Sequence, residues 1–178
     1  MQSFIEILEG DQDYLPAILG MATGFMIEKN PHKARNLLKR VGKMEISNHD
    51  GEDFEKANLL LAKFYSDKGK HELAQDLCKK TLQQNKSCSQ AWEVLGLVME
   101  KESNYDLSAE CYAKAFKLQF EASASVGFKL AFSHLKCRQY VQSIDVCETV
   151  LNAYPDYPRI SEEILHKAQA SIRTTVAA

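Results

Sequence analysis

The chain lacks most of the features that mark membrane, secreted or nucleotide-binding proteins. No apolar run approaches the roughly 18 residues that a bilayer-spanning helix requires, so direct membrane insertion is not expected. The opening Met1-Gln2-Ser3-Phe4-Ile5-Glu6 has no basic start, long apolar stretch or small-residue cleavage site, unlike a secretory leader. The five cysteines, Cys78, Cys88, Cys111, Cys137 and Cys147, are odd in number and form no Cys-x-x-Cys pair. That pattern excludes a disulfide framework and fits a reducing, cytoplasmic chain. With 22 basic and 24 acidic residues, net charge −2 and no basic stripe, a grip on nucleic acid is not expected. There is no Gly-rich phosphate loop and no Gly-x-Ser-x-Gly elbow, and nothing draws Ser, His and Asp together. No cofactor, metal or catalytic residue is therefore assigned, and the chain reads as non-enzymatic. Only 8 glycines and 4 prolines in 178 residues, without strongly alternating segments, argue for an all-α protein.

What is present is a repeat. Ala22, Ala62, Gly96 and Ala131 lie 40, 34 and 35 positions apart. The same intervals relate Phe25, Tyr65, Met99 and His134; Ala34, Ala74, Ser108 and Ser143; Leu38, Cys78, Tyr112 and Cys147; and Val41, Thr81, Ala115 and Val150. A period of about 34 residues belongs to stacked helix–turn–helix units of the tetratricopeptide type. Such units build extended binding surfaces. The expected fold is an all-α right-handed superhelix, an α-solenoid of four helix pairs with a C-terminal capping helix. The two small-residue columns mark places where crossing helices approach too closely for larger side chains.

The boundaries follow from local chemistry. One array fills 1–178: a truncated helix end at 2–9, repeats at 14–43, 54–84, 89–119 and 124–154, and a capping helix at 158–173. Ile18, Met21, Ala22 and Phe25 form an i, i+3, i+4, i+7 stripe, and Asn30-Pro31 is a good helix start. The polar segment Ile46 to Asp53 absorbs the extra length of the first interval, with Asp50-Gly51-Glu52-Asp53 read as a polar loop. Ser87-Cys88-Ser89-Gln90 reads as a capping box. Ile160, Ile164, Ala168 and Ile172, at steps of four, oppose a polar face of Glu162, Glu163, Lys167, Gln169 and Arg173. At the front, Phe4, Ile5 and Leu8 look like the end of a helix whose partner is missing, so a C-terminal piece of a longer array is expected.

Several constellations have plainer readings. His134 and Cys137 are three apart, but no second ligand pair exists, and a packed histidine is preferred. Glu9, Asp11 and Asp13 lack the glycine and distal Glu of a calcium loop and read as a capping, solvated turn. Arg35, Lys39, Arg40 and Lys43 read as a solvated basic face. Core packing is expected to account for most of the aromatic residues. On the groove side of each first helix lie Leu19, Thr23 and Met26; Leu59, Lys63 and Ser66; Glu93, Leu97 and Glu100; and Phe128, Phe132 and Leu135. Only Lys56, Lys63 and Lys129 are basic in this region, so a clamp for a peptide carboxylate is not expected. Candidate partner contacts are Leu59, Lys63, Leu97, Phe128, Phe132 and Leu135. The last cluster either packs on the capping helix or receives an amphipathic helix of a partner.

Trp92-x-x-Leu95-Gly96, Tyr105-x-x-Ser108, Tyr112-x-x-Ala115 and Pro155 resemble the tetratricopeptide repeat superfamily. More narrowly, the segments Tyr14 to Thr23, Glu28 to Arg35, Val126 to Phe132 and Tyr140 to Cys147 resemble the C-terminal end of the tetratricopeptide repeat protein 21 family. That family supplies the large all-repeat subunit of intraflagellar transport complex A. The resemblance covers nearly the whole chain and is weakest around Asp50-Gly51 and after Arg173. It implies a non-enzymatic scaffold in the cilium and at its base, with other subunits of the transport complex as partners. The implied roles are retrograde transport and the entry of cargo and receptors. A generic adaptor for a linear peptide or amphipathic helix is the alternative.

Overall fold

A computed structural model describes residues 2–41, 44, 51–120 and 123–176. Among these, every regular element is helical: α1 (Gln2–Gly10), α2 (Leu15–Ile27), α3 (Pro31–Val41), α4 (Gly51–Asp67), α5 (His71–Gln84), α6 (Ser89–Lys101), α7 (Tyr105–Leu118), α8 (Ala124–Lys136) and α9 (Tyr140–Ala153). A short α10 (Pro158–Ile160), a π turn (Ser161–Leu165) and α11 (His166–Val176) close the chain. The helices form two compact units, Met1–Gln84 and Asn85–Ala178.

In the first unit α2 pairs with α3 and α4 with α5, while α3 lies against α4. The shared columns are the core: Ala22, Ala34, Ala62, Ala74 and Cys78 are fully buried, and Leu38 and Val41 nearly so. α1 packs on α2 through Phe4, whose ring occupies the space where a Cβ on Gly20 would stand, 2.6 Å from Cζ. Arg40 ties α3 back to the turn before α2, donating to the Gln12 carbonyl and to Asp13 Oδ1 at 2.8 Å. Asp11 Oδ1 accepts from the Asp13 N–H at 3.0 Å, so these carboxylates serve the turn itself. Gly51–Asp53, expected in a polar loop, instead form the first turn of α4. The acidic side chains Glu52 and Asp53 suit a helix N-terminus, and Lys56 reaches both, at 2.8 and 3.5 Å. The rest of the expected connector, from Ile46 to Asp50, lies outside the described residues.

The second unit repeats the plan with α6–α7 and α8–α9, and adds the terminal helix. Its core joins Tyr112, Ala115, Phe116, Val126, Leu130 and Ala131 to Cys147, Val150, Ile160 and Ile164. α6 does not use the expected capping box. Its cap is Cys88, whose side chain makes no capping hydrogen bond to the helix, and Asn85 Oδ1 instead accepts from the Ser87 N–H at 3.0 Å. The terminal helix buries Ile160, Ile164 and Ala168 completely, each isoleucine contributing roughly 1.5–3 kcal/mol. Residues four apart overshoot a 3.6-residue turn by about 40° per step, so this stripe drifts on a regular helix. The π turn winds wider, with the His166 N–H bonded to the Ser161 carbonyl, and returns part of that drift.

Each first helix ends the same way. Lys29, Gly69, Ser103 and Arg138 have φ of 58°, 70°, 60° and 60°, spaced by the repeat. The next N–H bonds back to the carbonyl five residues earlier: Asn30 to Phe25 at 2.8 Å, and Lys70 to Tyr65, Asn104 to Met99 and Gln139 to His134 at 2.9 Å. This is the Schellman closure. It explains why the column Phe25, Tyr65, Met99 and His134 is regular in position yet mixed in chemistry: the shared element is a carbonyl. His134 uses its ring locally, with Nδ1 2.6 Å from Gln139 Oε1.

Candidate protein-interaction surface

The groove-side residues do not share one environment. Leu59 is 4% exposed and Leu19 8%, and Ser66 is also buried, so these three are corrected from surface to interior. The reason for Leu59 and Ser66 lies in α4, which packs against α2, α3 and α5 and buries residues around most of its circumference. Lys63 stays exposed and Leu97 is half-buried. Lys129 is not available to a carboxylate ligand, because its Nζ lies 2.7 Å from Glu93 Oε1 and 5.9 Å from the Tyr112 ring centroid. Lys56 is engaged by Glu52 and Asp53.

On α8, Phe128, Phe132 and Leu135 share a face at i, i+4 and i+7 and are half-buried against the core. Phe128 meets Tyr157 edge-on at 6.4 Å, with the Arg159 guanidinium 4.9 Å from its centroid. Phe132 meets Tyr105 edge-on at 6.2 Å, with Lys136 Nζ at 5.3 Å. Phe128 thus packs where the terminal helix begins. Phe132 and Leu135 open into a cleft of about 570 Å³ whose far wall is Glu163, Lys167, Ala170 and Ser171 of the terminal helix. Phe128 is thus taken up by packing, while Phe132 and Leu135 face the cleft.

The buried titratable groups point to structure. Burial holds the Tyr112 phenol well above its ordinary range, with Glu100 adding to the effect, and its O–H donates to Glu100 Oε2 at 2.8 Å. Burial pushes the Cys111 thiol to about 11 and Cys147 to about 12. Cys137 also rises to about 11, through burial and then its hydrogen bond to Asp106. None of the three presents a thiolate nucleophile at neutral pH.

The family described as Tetratricopeptide repeat protein 21 C-terminal ARM domain matches residues 1–169. Human Tetratricopeptide repeat protein 21B is 46% identical over 173 residues, covering 97% of this chain and 13% of its own length. The chain belongs to the tetratricopeptide repeat protein 21 family. It corresponds to the C-terminal region of that family, and spans only a small part of the relatives it matches. Among solved structures, MamA superposes with a TM-score of 0.72 at 16% identity, covering 89% of this chain and 88% of MamA. The Cut9–Hcn1 hetero-tetramer of the APC/C gives a TM-score of 0.74 at 16% identity, over 97% of this chain and 33% of that one. At such identities these likenesses show the fold alone. With the helix pairs, they establish the all-α repeat solenoid expected from the columns.

One surface of this family member was missed. Phe120, one of the aromatic residues for which core packing is expected, is 93% exposed. It stands beside Trp92 and three lysines, Lys86, Lys114 and Lys117, in an open pocket. The available signal was Lys114, Lys117 and Leu118 on one end of α7, close in sequence to Phe120.

Proposed function

We propose that this chain is a non-enzymatic protein-interaction scaffold, the C-terminal part of an intraflagellar transport complex A subunit. In this reading it works in the cilium and at the ciliary base, in retrograde transport and in the entry of cargo and receptors. Its partners are other subunits of the complex. The observation that carries the reading is membership of the tetratricopeptide repeat protein 21 family across nearly the whole chain. The helix-pair architecture supports it, because stacked repeats offer long side-chain surfaces without converging polar groups. The contacts proposed are Phe132 and Leu135 at the α8 cleft, with Leu97 and Lys63. Leu59 is withdrawn, and Phe128 is assigned to docking the terminal helix.

The alternative is an adaptor that receives a linear peptide or amphipathic helix. The cleft between Phe132, Leu135 and the terminal helix favours it, since an apolar floor with a charged rim suits one face of such a helix. Affinity recovery of the tagged chain from ciliated cells, with mass spectrometry of what co-purifies, separates the two. Recovery of other transport-train subunits supports the scaffold. Recovery of unrelated clients alone overturns the ciliary assignment in favour of the adaptor.

A further inference from the structure

A second surface lies at the end of α7, away from the α8 cleft. Trp92 is held from two sides there. Its Nε1–H donates to the Lys86 carbonyl at 3.0 Å, and Lys114 Nζ stands 4.2 Å from the ring centroid. Beside it Leu118 is 37% exposed and Phe120 93%. Phe120 has φ of 54°, a left-handed backbone that bulky residues rarely adopt. Its N–H closes the helix onto the Lys117 carbonyl at 3.1 Å. Turning the chain there leaves the phenyl ring in solvent, a conformation unfavourable both in backbone and in hydration. Together Trp92, Leu118 and Phe120 form the apolar wall of a pocket of about 440 Å³ rimmed by Lys86, Lys114 and Lys117.

The charges decide the occupant. Among the described residues no carboxylate lines the pocket, and none of the three ammonium groups forms an ion pair with an acidic side chain. An apolar floor under three clustered cations suits a short acidic segment carrying one aromatic or aliphatic anchor. Nucleic acid would need a longer cationic track, in a chain whose net charge is −2. We propose that the pocket formed by Trp92, Phe120, Leu118, Lys86, Lys114 and Lys117 is a docking site for an acidic linear segment of a partner protein, anchored by one hydrophobic side chain. This site is independent of the ciliary assignment, and a failure of either leaves the other standing.

Trp92 is the only tryptophan in the chain, so its fluorescence reports on the pocket directly. A displayed random 12-residue peptide library is selected against the immobilised full chain, and the enriched peptides are titrated while following Trp92 emission. The expected result is enrichment of Asp/Glu-rich peptides with a single aromatic or aliphatic residue. Their saturable fluorescence change should weaken at least tenfold in Lys114→Gln/Lys117→Glu and in Phe120→Ala. Phe120 is almost fully exposed, so its truncation should leave thermal unfolding unchanged. The proposal is overturned by an absence of enrichment, by enrichment without acidic excess, or by equal binding to the variants. Vesicles of phosphatidylserine and phosphatidylcholine form the second arm. Lysine-dependent co-sedimentation with them, without peptide enrichment, would replace the protein segment with a membrane surface.

Discussion

The Ser108 hydroxyl donates to the carbonyl of Gly96 at 3.0 Å, fastening α7 to α6 where a Cβ on Gly96 would stand 2.8 Å from the Tyr112 ring. The relationship recurs one repeat later, where Ser143 Oγ donates to the Ala131 carbonyl at 2.9 Å. In the first unit the corresponding positions are Ala34 and Ala74, also fully buried, so small size is common to all four pairs and the hydroxyl only to two. Ser143→Ala is therefore expected to lower stability by about 0.5–1.5 kcal/mol. Ser143→Leu should prevent α8 and α9 from closing. Urea unfolding of the two variants checks this, and equal midpoints would remove the distinction between size and hydrogen bonding.

Gly127 makes a tighter approach. A Cβ there would overlap Val150 Cγ2 outright and come within 3.1 Å of Phe116 Cε2. Val150 is 1% exposed and β-branched, so it has little room to yield. Gly127→Ala should destabilise the second unit by about 1–3 kcal/mol, with Val150→Ala restoring part of the loss. A double-mutant cycle on thermal unfolding tests the coupling; additive effects would mean the two residues do not compete for space.

Gly69 isolates a backbone effect, because nothing lies within 4 Å of a Cβ built on it at φ 70°. Gly69→Ala should lower stability by about 1–2 kcal/mol through the left-handed conformation alone. Arg138→Gly, at the equivalent turn with φ 60°, should act in the opposite direction. Denaturant midpoints of the pair give the answer, and a neutral Gly69→Ala would show that the turn can relax.

The buried thiol of Cys147 predicts a pH dependence. Its folded value of about 12 stands above the ordinary 9.0 because burial disfavours the thiolate. The folded state thus holds the proton more tightly than the unfolded chain. Its contribution is complete below about pH 9 and is lost as pH rises towards about 12. Iodoacetamide should label Cys147 slowly at pH 8 in the folded protein and readily in urea. Fast native labelling would show that α8–α9 opens.

Phe132→Glu places a carboxylate against Tyr105 and the cleft. It should reduce recovery of partners while Ile160 and Ile164 keep the terminal helix docked. Unchanged stability together with unchanged recovery would remove Phe132 from any interface.

The repeat columns reveal why some positions were legible and others were not. Ala22, Ala62, Gly96 and Ala131 share one physical demand, close helix crossing, so their identities recur and the register can be read from them. Gly127 shares its register with Ile18, Asn58 and Trp92, three larger residues, and its smallness reflects Phe116 and Val150 occupying the space. Phe120 looks like a core aromatic in sequence, and only the backbone turn at φ 54° sends its ring outward.

The sequence by itself determined the helix pairs, their period, the buried columns and the amphipathic terminal helix, because these follow from short-range spacing. Tertiary structure decided which surface remained open. Leu59 disappeared because α4 is enclosed by three neighbouring helices, and Lys129 was neutralised by Glu93, 36 residues away. Residual exposure depends on which helices pack against a face, and the pattern along one helix does not contain that information.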